Sequence, residues 1–332
     1  MTPFRPRLSL PAMPDCILLT GATGFVGSRL HDVLDREGLE VRCLTRRPED
    51  AIRRRRGWQW VGGDVGSPRD LARAMEGCRA AFYLVHGMAG ARPGWQAQEL
   101  ELAQTFARAA ARARLERVIY LGGMAPRSAP SPHLQSRLAT GAVLRAGPVP
   151  CLELRATMII GHGSASWQMV RDLAARLPVM ILPAWLRNRT EPVAIDDVLA
   201  ALARAVTLPL QGSAWADLPG PEEIGGHEIL RRVAALMGRR PVMIRIPFVT
   251  PRLSSVWIRG VSGVDYRLAR ELVEGLTSEI LAARGDFWSK AGLPTPVSLE
   301  VAGRRALEED ARAESESARI VERAVGWVTR RA

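Results

Sequence analysis

Short apolar runs and helical patterns alternate along the first half of the chain. Cys16-Ile17-Leu18-Leu19-Thr20 is an apolar run of strand length. A helical stripe follows from Gly24 to Glu37, with Phe25, Leu30, Val33 and Leu34 on one side. Residues 41–44, 59–61, 80–85, 118–121 and 151–155 read as five further strands. Ser67-Pro68 marks an N-cap and the first position of a helix that runs to Met75, and an alanine-rich helical pattern spans 95–114. Strand and helix alternating at this regularity predict a doubly wound α/β domain over residues 15–160, a parallel sheet with helices on both faces.

The rhythm loosens after residue 161. Helical patterns at 165–176, 197–206, 226–237 and 264–276, with short strands at 193–195, 214–218 and 242–246, predict a smaller C-terminal lobe over 161–307. That lobe is expected to be partly stitched back onto the sheet. Residues 1–14, with Arg5, Arg7 and prolines at 3, 6 and 11, read as a loose leader. Residues 308–332 read as a charged amphipathic tail, with Ile320, Val321, Ala324, Val325 and Val328 on one helical face. Such a face suits docking onto the chain itself or onto a second copy, so a homo-oligomer is compatible with it.

Composition narrows the function classes. The 332 residues are 47% hydrophobic and 24% charged, ordinary for a globular protein, which excludes wholesale disorder. No apolar run approaches the ~20 residues of a bilayer span. Cys16, Cys43, Cys78 and Cys151 are scattered with no C-x-x-C, which points to neither a zinc knuckle nor a disulfide framework and suits a reducing cytoplasm. No two histidines stand at metal-ligand spacing, so no metal is expected. His31 and His227 lie on helical patterns and are expected to face solvent.

The net charge of +12 raises a nucleic-acid or anionic-membrane partner. The arginines are spread along the chain, however, which favours solvated faces. The exception is Arg53-Arg54-Arg55-Arg56, close to Trp58 and Trp60. A basic run beside aromatics can bind single-stranded nucleic acid, yet these tryptophans alternate along an expected strand, and packing accounts for them. Of the 46 basic residues only Lys290 is a lysine, so lysine chemistry has a single position in the chain.

The strongest motif is Gly21-Ala22-Thr23-Gly24-Phe25-Val26-Gly27, which opens a helix directly after a buried strand. Gly21 permits the tight turn, Gly24 lets backbone approach a pyrophosphate at the helix N-terminus, and Gly27 lets the helix pack close to the sheet. Gly21, Thr23, Gly24, Phe25, Val26 and Gly27 are therefore expected to touch a dinucleotide in a Rossmann-type domain. The second strand ends in Leu44-Thr45-Arg46-Arg47, where NAD-preferring folds place a carboxylate for the adenine ribose. Arg46 and Arg47 suit a 2′-phosphate instead, and NADP(H) is expected over NAD(H).

These residues resemble the short-chain dehydrogenase/reductase superfamily in its extended and atypical branch, and within it the NmrA-like proteins and the NAD(P)H-binding accessory subunit of respiratory complex I. The resemblance covers roughly residues 15–310. It implies that Asp64 and Val65 touch adenine, and that Leu84, Val85 and His86 lie by the cofactor ribose. It implies further that Leu121, Gly122 and Arg137 stand near the nicotinamide, which the stretches 154–156 and 160–161 pass. Pro192 to Val198 resembles the buried turn that opens a late helix in extended members. Trp185, Arg187 and Arg189, with His162, are implied at the substrate cleft. The two arginines there suit an anionic substrate or are simply solvated.

Members that move hydride use a Ser and a Tyr-x-x-x-Lys, and here the chain departs from them. Four residues after Tyr83, Tyr120 and Tyr266 stand Gly87, Met124 and Arg270, and the place for the Ser reads Gly122-Gly123. His133 and Arg137 fall where the Tyr and Lys would stand. Arg137 can hold ribose hydroxyls but its charge is permanent. His133 either donates a proton near neutral pH or is a surface histidine at a loop end. Two functions follow. One is an NADP(H)-dependent oxidoreductase or epimerase-like enzyme on an unknown small substrate, with His133 and Arg137 as its catalytic pair. The other is a catalytically silent NAD(P)H sensor or complex-assembly protein.

Overall fold

The computed structural model describes residues 16–85, 94–246, 270, 273–275 and 277–328, the last of these from residue 316 by backbone alone. Strands β1 (Cys16–Thr20), β2 (Glu40–Thr45), β3 (Gln59–Gly62), β4 (Ala80–Tyr83), β5 (Arg117–Gly123) and β6 (Cys151–Ala156) come first. They alternate with helices α1 (Phe25–Arg36), α2 (Pro48–Arg54), α3 (Pro68–Met75), α4 (Trp95–Arg112) and α5 (Pro132–Arg145). The chain continues with β7 (Ile159–Ile160), α6 (Ala165–Arg176), β8 (Val179–Leu182), β9 (Arg189–Thr190), β10 (Val193–Ala194), α7 (Ile195–Ala205), β11 (Ala214–Asp217), β12 (Ile224–Gly225), α8 (Gly226–Leu236) and β13 (Val242–Arg245).

Seven strands form one parallel sheet in the order β3-β2-β1-β4-β5-β6-β11, so the chain is a doubly wound Rossmann-type α/β protein. The strand order reverses beside β1, and a crevice opens there at the carboxyl ends of the strands. β1, β4 and β6 are buried throughout, β1 and β4 as nearly apolar runs suited to central parallel strands and β6 with Glu153 and Arg155 buried as an ion pair (3.1 Å) among its apolar residues. Alternate β1 residues serve the two faces. Ile17 and Leu19 pack with Leu30 and Leu34 of α1, and Leu18 packs with Leu71 of α3 and Phe106 of α4.

α3, α5 and α6 each begin with a serine, Ser67, Ser131 and Ser164, whose side chain accepts a first-turn N–H. β11 pairs in parallel with β6, which ties the lobe to the sheet. The lobe keeps a core of its own around Trp167, Met180, Leu186 and Val233. The long C-terminal helix Leu299–Val328 enters that core through Leu299, Ala302 and Ala306 and runs unbroken through residue 308. Residues 1–15, His86, Tyr266 and most of the expected helix at 264–276 lie outside the described residues, as do the side chains of Ile320, Val321, Ala324, Val325 and Val328.

Two expectations for histidines are corrected. His31 is 5% exposed and stacks on Trp58, with ring centroids 3.5 Å apart and planes 8° apart. His227 is half-buried, its Nδ1 3.1 Å from the Leu186 carbonyl oxygen. The tryptophans of the arginine-rich stretch are packing residues, because Trp58 also stacks on Trp60 and Arg55 lies over the Trp58 ring.

Candidate active site

The glycine-rich turn is shaped by contacts that only glycine tolerates. Gly21 has φ +73°, and a Cβ on it would stand 2.4 Å from the Leu84 carbonyl oxygen. A Cβ on Gly27 would stand 2.2 Å from the Gly21 carbonyl oxygen, so α1 packs against the turn without a side chain between them. Thr20 Oγ1 donates to the Phe82 carbonyl (2.9 Å) and accepts from Leu84 N–H (3.2 Å), tying the ends of β1 and β4 together where the crevice opens. α1 starts at Gly24 with no side-chain cap and no acidic residue in its first turn. Its N-terminal dipole end therefore faces the crevice uncompensated by the protein.

A cavity of about 1560 Å³ runs from this turn into the lobe. Gly21, Thr23, Gly24, Phe25, Val26, Gly27, Arg46, Arg47, Asp64, Val65, Leu84, Val85, Leu121, Gly122, His133 and Arg137 all line it. Arg54 and Arg55, which the sequence offered only as part of a basic run, join Arg46 and Arg47 on its wall, where α2 packs beside β3. Asp64 is held in place, its Oδ1 accepting from Gly66 N–H (2.7 Å) and its own N–H donating to Asp70 (3.1 Å).

Past His133 the wall turns apolar. α6 supplies Met169, Val170 and Leu173, β8 supplies Met180 and Ile181, and α8 supplies Ile229 and Leu230. Trp185 and Leu186 add to this part. Of the residues expected at the substrate cleft, Trp185 lines the cavity and the other three do not. His162 pairs with Asp310 of the C-terminal helix, Arg189 pairs with Glu223 (2.6 Å) and Glu279 (2.8 Å), and Arg187 is exposed outside the wall. His162 and Arg189 are committed to contacts with residues distant in sequence that no local pattern announces.

At the junction of the two parts stand His133 and Arg137, one turn apart on α5. Arg137 Nη2 donates to the Leu121 carbonyl (3.0 Å), while its Nε is buried with no hydrogen-bond partner. Burial first, and the Arg137 guanidinium second, push the His133 pKa down to about 4. His133 is half-buried on the wall, and near pH 7 it is neutral, not the group of pKa ~6.5 expected from sequence. Tyr120 is fully buried, donates to the Arg137 carbonyl (3.0 Å), and has its pKa raised by burial. Tyr83 is buried and shifted the same way. Neither tyrosine is on the cavity wall, and Lys290 pairs with Asp286 on an exposed part of the lobe. The cavity instead carries Glu99, whose carboxylate accepts from Ser136 Oγ, and the hydroxyls of Thr157 and Ser166. Among the described residues no group of three His, Cys, Asp or Glu side chains is placed to hold a metal ion.

Residues 21–156 match the model of an NAD(P)H-binding family. Over 235 residues, 70% of this chain and 73% of the relative, the sequence is 31% identical to the ceramide reductase of Caulobacter vibrioides. An NADPH-dependent quinone oxidoreductase of Escherichia coli, solved with NADPH, superposes with a TM-score of 0.69 at 18% identity, covering 86% of this chain and 98% of its own. The triphenylmethane reductase of a Citrobacter species, solved with NADP(H), superposes with a TM-score of 0.69 at 17% identity, covering 88% and 99%. At these identities the two structures speak to the fold alone.

Proposed function

The chain belongs to the short-chain dehydrogenase/reductase superfamily in its atypical, NAD(P)H-binding branch, and from that premise we propose that it is an NADP(H)-dependent reductase of a carbonyl on a largely apolar substrate. The observation that carries this reading is the single cavity, glycine-rich and cationic at one end and apolar at the other. His133 and Arg137 stand where the two ends meet. The resemblance in sequence to a ceramide reductase, named for acting on a lipid, supports the same reading.

The residues present fit a dinucleotide. The uncapped α1 N-terminus at Gly24 and the unpartnered Arg137 Nε are polar groups of the cavity wall still seeking an acceptor. Gly24 and Val26 would hold the pyrophosphate, Arg46 and Arg47 the 2′-phosphate, and Asp64 and Val65 the adenine. A reduced nicotinamide bound there supplies hydride. Arg137 places a permanent positive charge where the substrate oxygen gains negative charge. His133, held neutral, contributes a ring hydrogen bond to that oxygen and no stored proton. The proton that completes the alcohol then comes from solvent. The scattered cysteines fit a reducing compartment, and we place the protein in the cytoplasm; no described helix is long and apolar enough to cross a membrane.

The silent-sensor reading draws on the missing Ser, Tyr and Lys and on the neutral His133. Incubation with NADPH and long-chain ketones separates the two. Loss of NADPH with formation of the matching alcohol supports the reductase. Tight NADPH binding with no alcohol from any ketone supports the sensor.

A further inference from the structure

The lobe exposes an apolar ribbon beside its cavity. β8 and β13 pair in parallel, Val242 opposite Val179 and Ile244 opposite Ile181, so these four side chains share one face. They are 60%, 46%, 46% and 39% exposed in the order Val242, Val179, Ile244, Ile181. Among the described residues, four of the five large aliphatic side chains left exposed stand on this ribbon. The opposite face of β8 carries Met180 and Leu182, buried in the lobe core. The ribbon is therefore firmly backed, and its outer face is a deliberate departure from the alternation that would put polar residues there.

The two stretches of chain that carry the ribbon hold charge of one sign. The stretches 176–190 and 237–246 hold six arginines, Arg176, Arg187, Arg189, Arg239, Arg240 and Arg245, and no aspartate or glutamate. Arg187, Arg239, Arg240 and Arg245 are exposed, whereas Arg176 leans on Asp172 (3.9 Å) and Arg189 pairs with Glu223 and Glu279. Exposed aliphatic side chains with exposed Arg187, Arg239 and Arg240 in the chain flanking their strands match the interface of an anionic bilayer, acyl carbon beneath and phosphate above. Ile181 belongs both to the exposed face and to the cavity wall, and its neighbour Met180 lines the same wall. The ribbon thus stands at a mouth of the apolar end.

We propose that the β8–β13 ribbon docks this protein on the surface of an anionic membrane, with the mouth of its apolar cavity turned toward the lipid. The docking face needs no activity from the cavity, and its test uses no substrate. The full chain is floated with vesicles of phosphatidylglycerol and phosphatidylcholine and, separately, of phosphatidylcholine alone. The expected result is binding to the anionic vesicles that weakens with salt, and about ten-fold or greater loss of that binding in the double variant Val242→Glu/Ile244→Glu. NADPH affinity, measured in parallel, stays unchanged and shows that the variant is folded. An Arg239→Ser/Arg240→Ser variant is expected to lose several-fold and to show a flatter salt dependence. Wild type that ignores anionic vesicles overturns the proposal, as does a double variant that binds them equally. A wild-type dimer by light scattering that the double variant dissolves, with no vesicle binding, assigns the face to a second copy of the chain and also overturns it.

Discussion

At the end beneath β1, β2 and β4 the cavity is shaped by backbone, and within the lobe it is shaped by side chains. Gly21 and Gly27 define the first end by contacts of 2.4 and 2.2 Å that any Cβ would make, and polar groups reach it from the α1 terminus and from Arg46, Arg47 and Arg137. The second end is a space left between Met169, Leu173, Met180, Ile229 and Leu230, residues of three different elements. A backbone site fixes the charge and shape of its ligand closely, because moving one atom of the turn breaks the fold locally. A side-chain site fixes mainly volume and apolarity, and related chains can refill it without touching the first end. One cofactor class and variable substrates follow from that division.

The largest effect is expected at Gly24. Gly24→Val places a branched side chain in the crevice, and dinucleotide affinity should fall by about a hundred-fold or more with the circular dichroism unchanged. Calorimetry that finds NADPH affinity intact in the folded variant would remove the first end from the account. Arg46→Asp comes next. Charge-assisted bonds of about 1.5–3 kcal/mol predict roughly ten- to hundred-fold preference for NADPH over NADH in wild type, lost or reversed in the variant. Parallel titrations with the two cofactors read it directly.

Met169→Trp tests the other end. Filling the lobe should cut kcat/KM for a long-chain ketone by about ten-fold, at a stability cost of about 1–3 kcal/mol, and leave NADPH affinity within about two-fold. A matched loss of cofactor affinity would mean that the two ends are not separate.

The smallest effect concerns His133. Its pKa is held at about 4, below the ordinary 6.5. Between those values the unfolded chain takes up a proton that the folded chain refuses, so stability falls as pH drops through that window. His31, lowered in the same direction mainly by burial, adds to the slope. His133→Phe should flatten part of it, as urea melts at pH 7 and pH 5 will show, and should leave turnover without an inflection near pH 6.5 in either protein.

What the sequence disclosed divides along the same boundary. The glycine motif, the alternating strands and the arginines after β2 are local patterns, and the sheet follows from them. α5 carries no helical stripe in the sequence because three of its four buried residues are Ser136, Thr140 and Gly141, with Leu144 the one apolar side chain among them. Those small residues leave room for the buried carboxylate of Glu153, which a Cβ on Gly141 would meet at 2.3 Å. The burial of His31 has no local signal, because Trp58, 27 positions on and just before the edge strand β3, covers it. His162 and Arg189 stand off the cavity wall, paired with Asp310 and with Glu223 and Glu279, which reach them across the fold. The apolar chamber had no signature, since its residues look like ordinary core until the helices leave a gap between them.

The central claim is that one cavity serves a dinucleotide at its polar end and an apolar substrate at the other. The most direct test follows NADPH consumption by wild type across a homologous series of ketones of increasing alkyl length. Burial of about 0.8 kcal/mol per methylene predicts kcat/KM rising roughly four-fold with each added carbon until the lobe is filled, then levelling. A kcat/KM that is highest for the shortest ketones, or NADPH that stays unconsumed throughout the series, would contradict it.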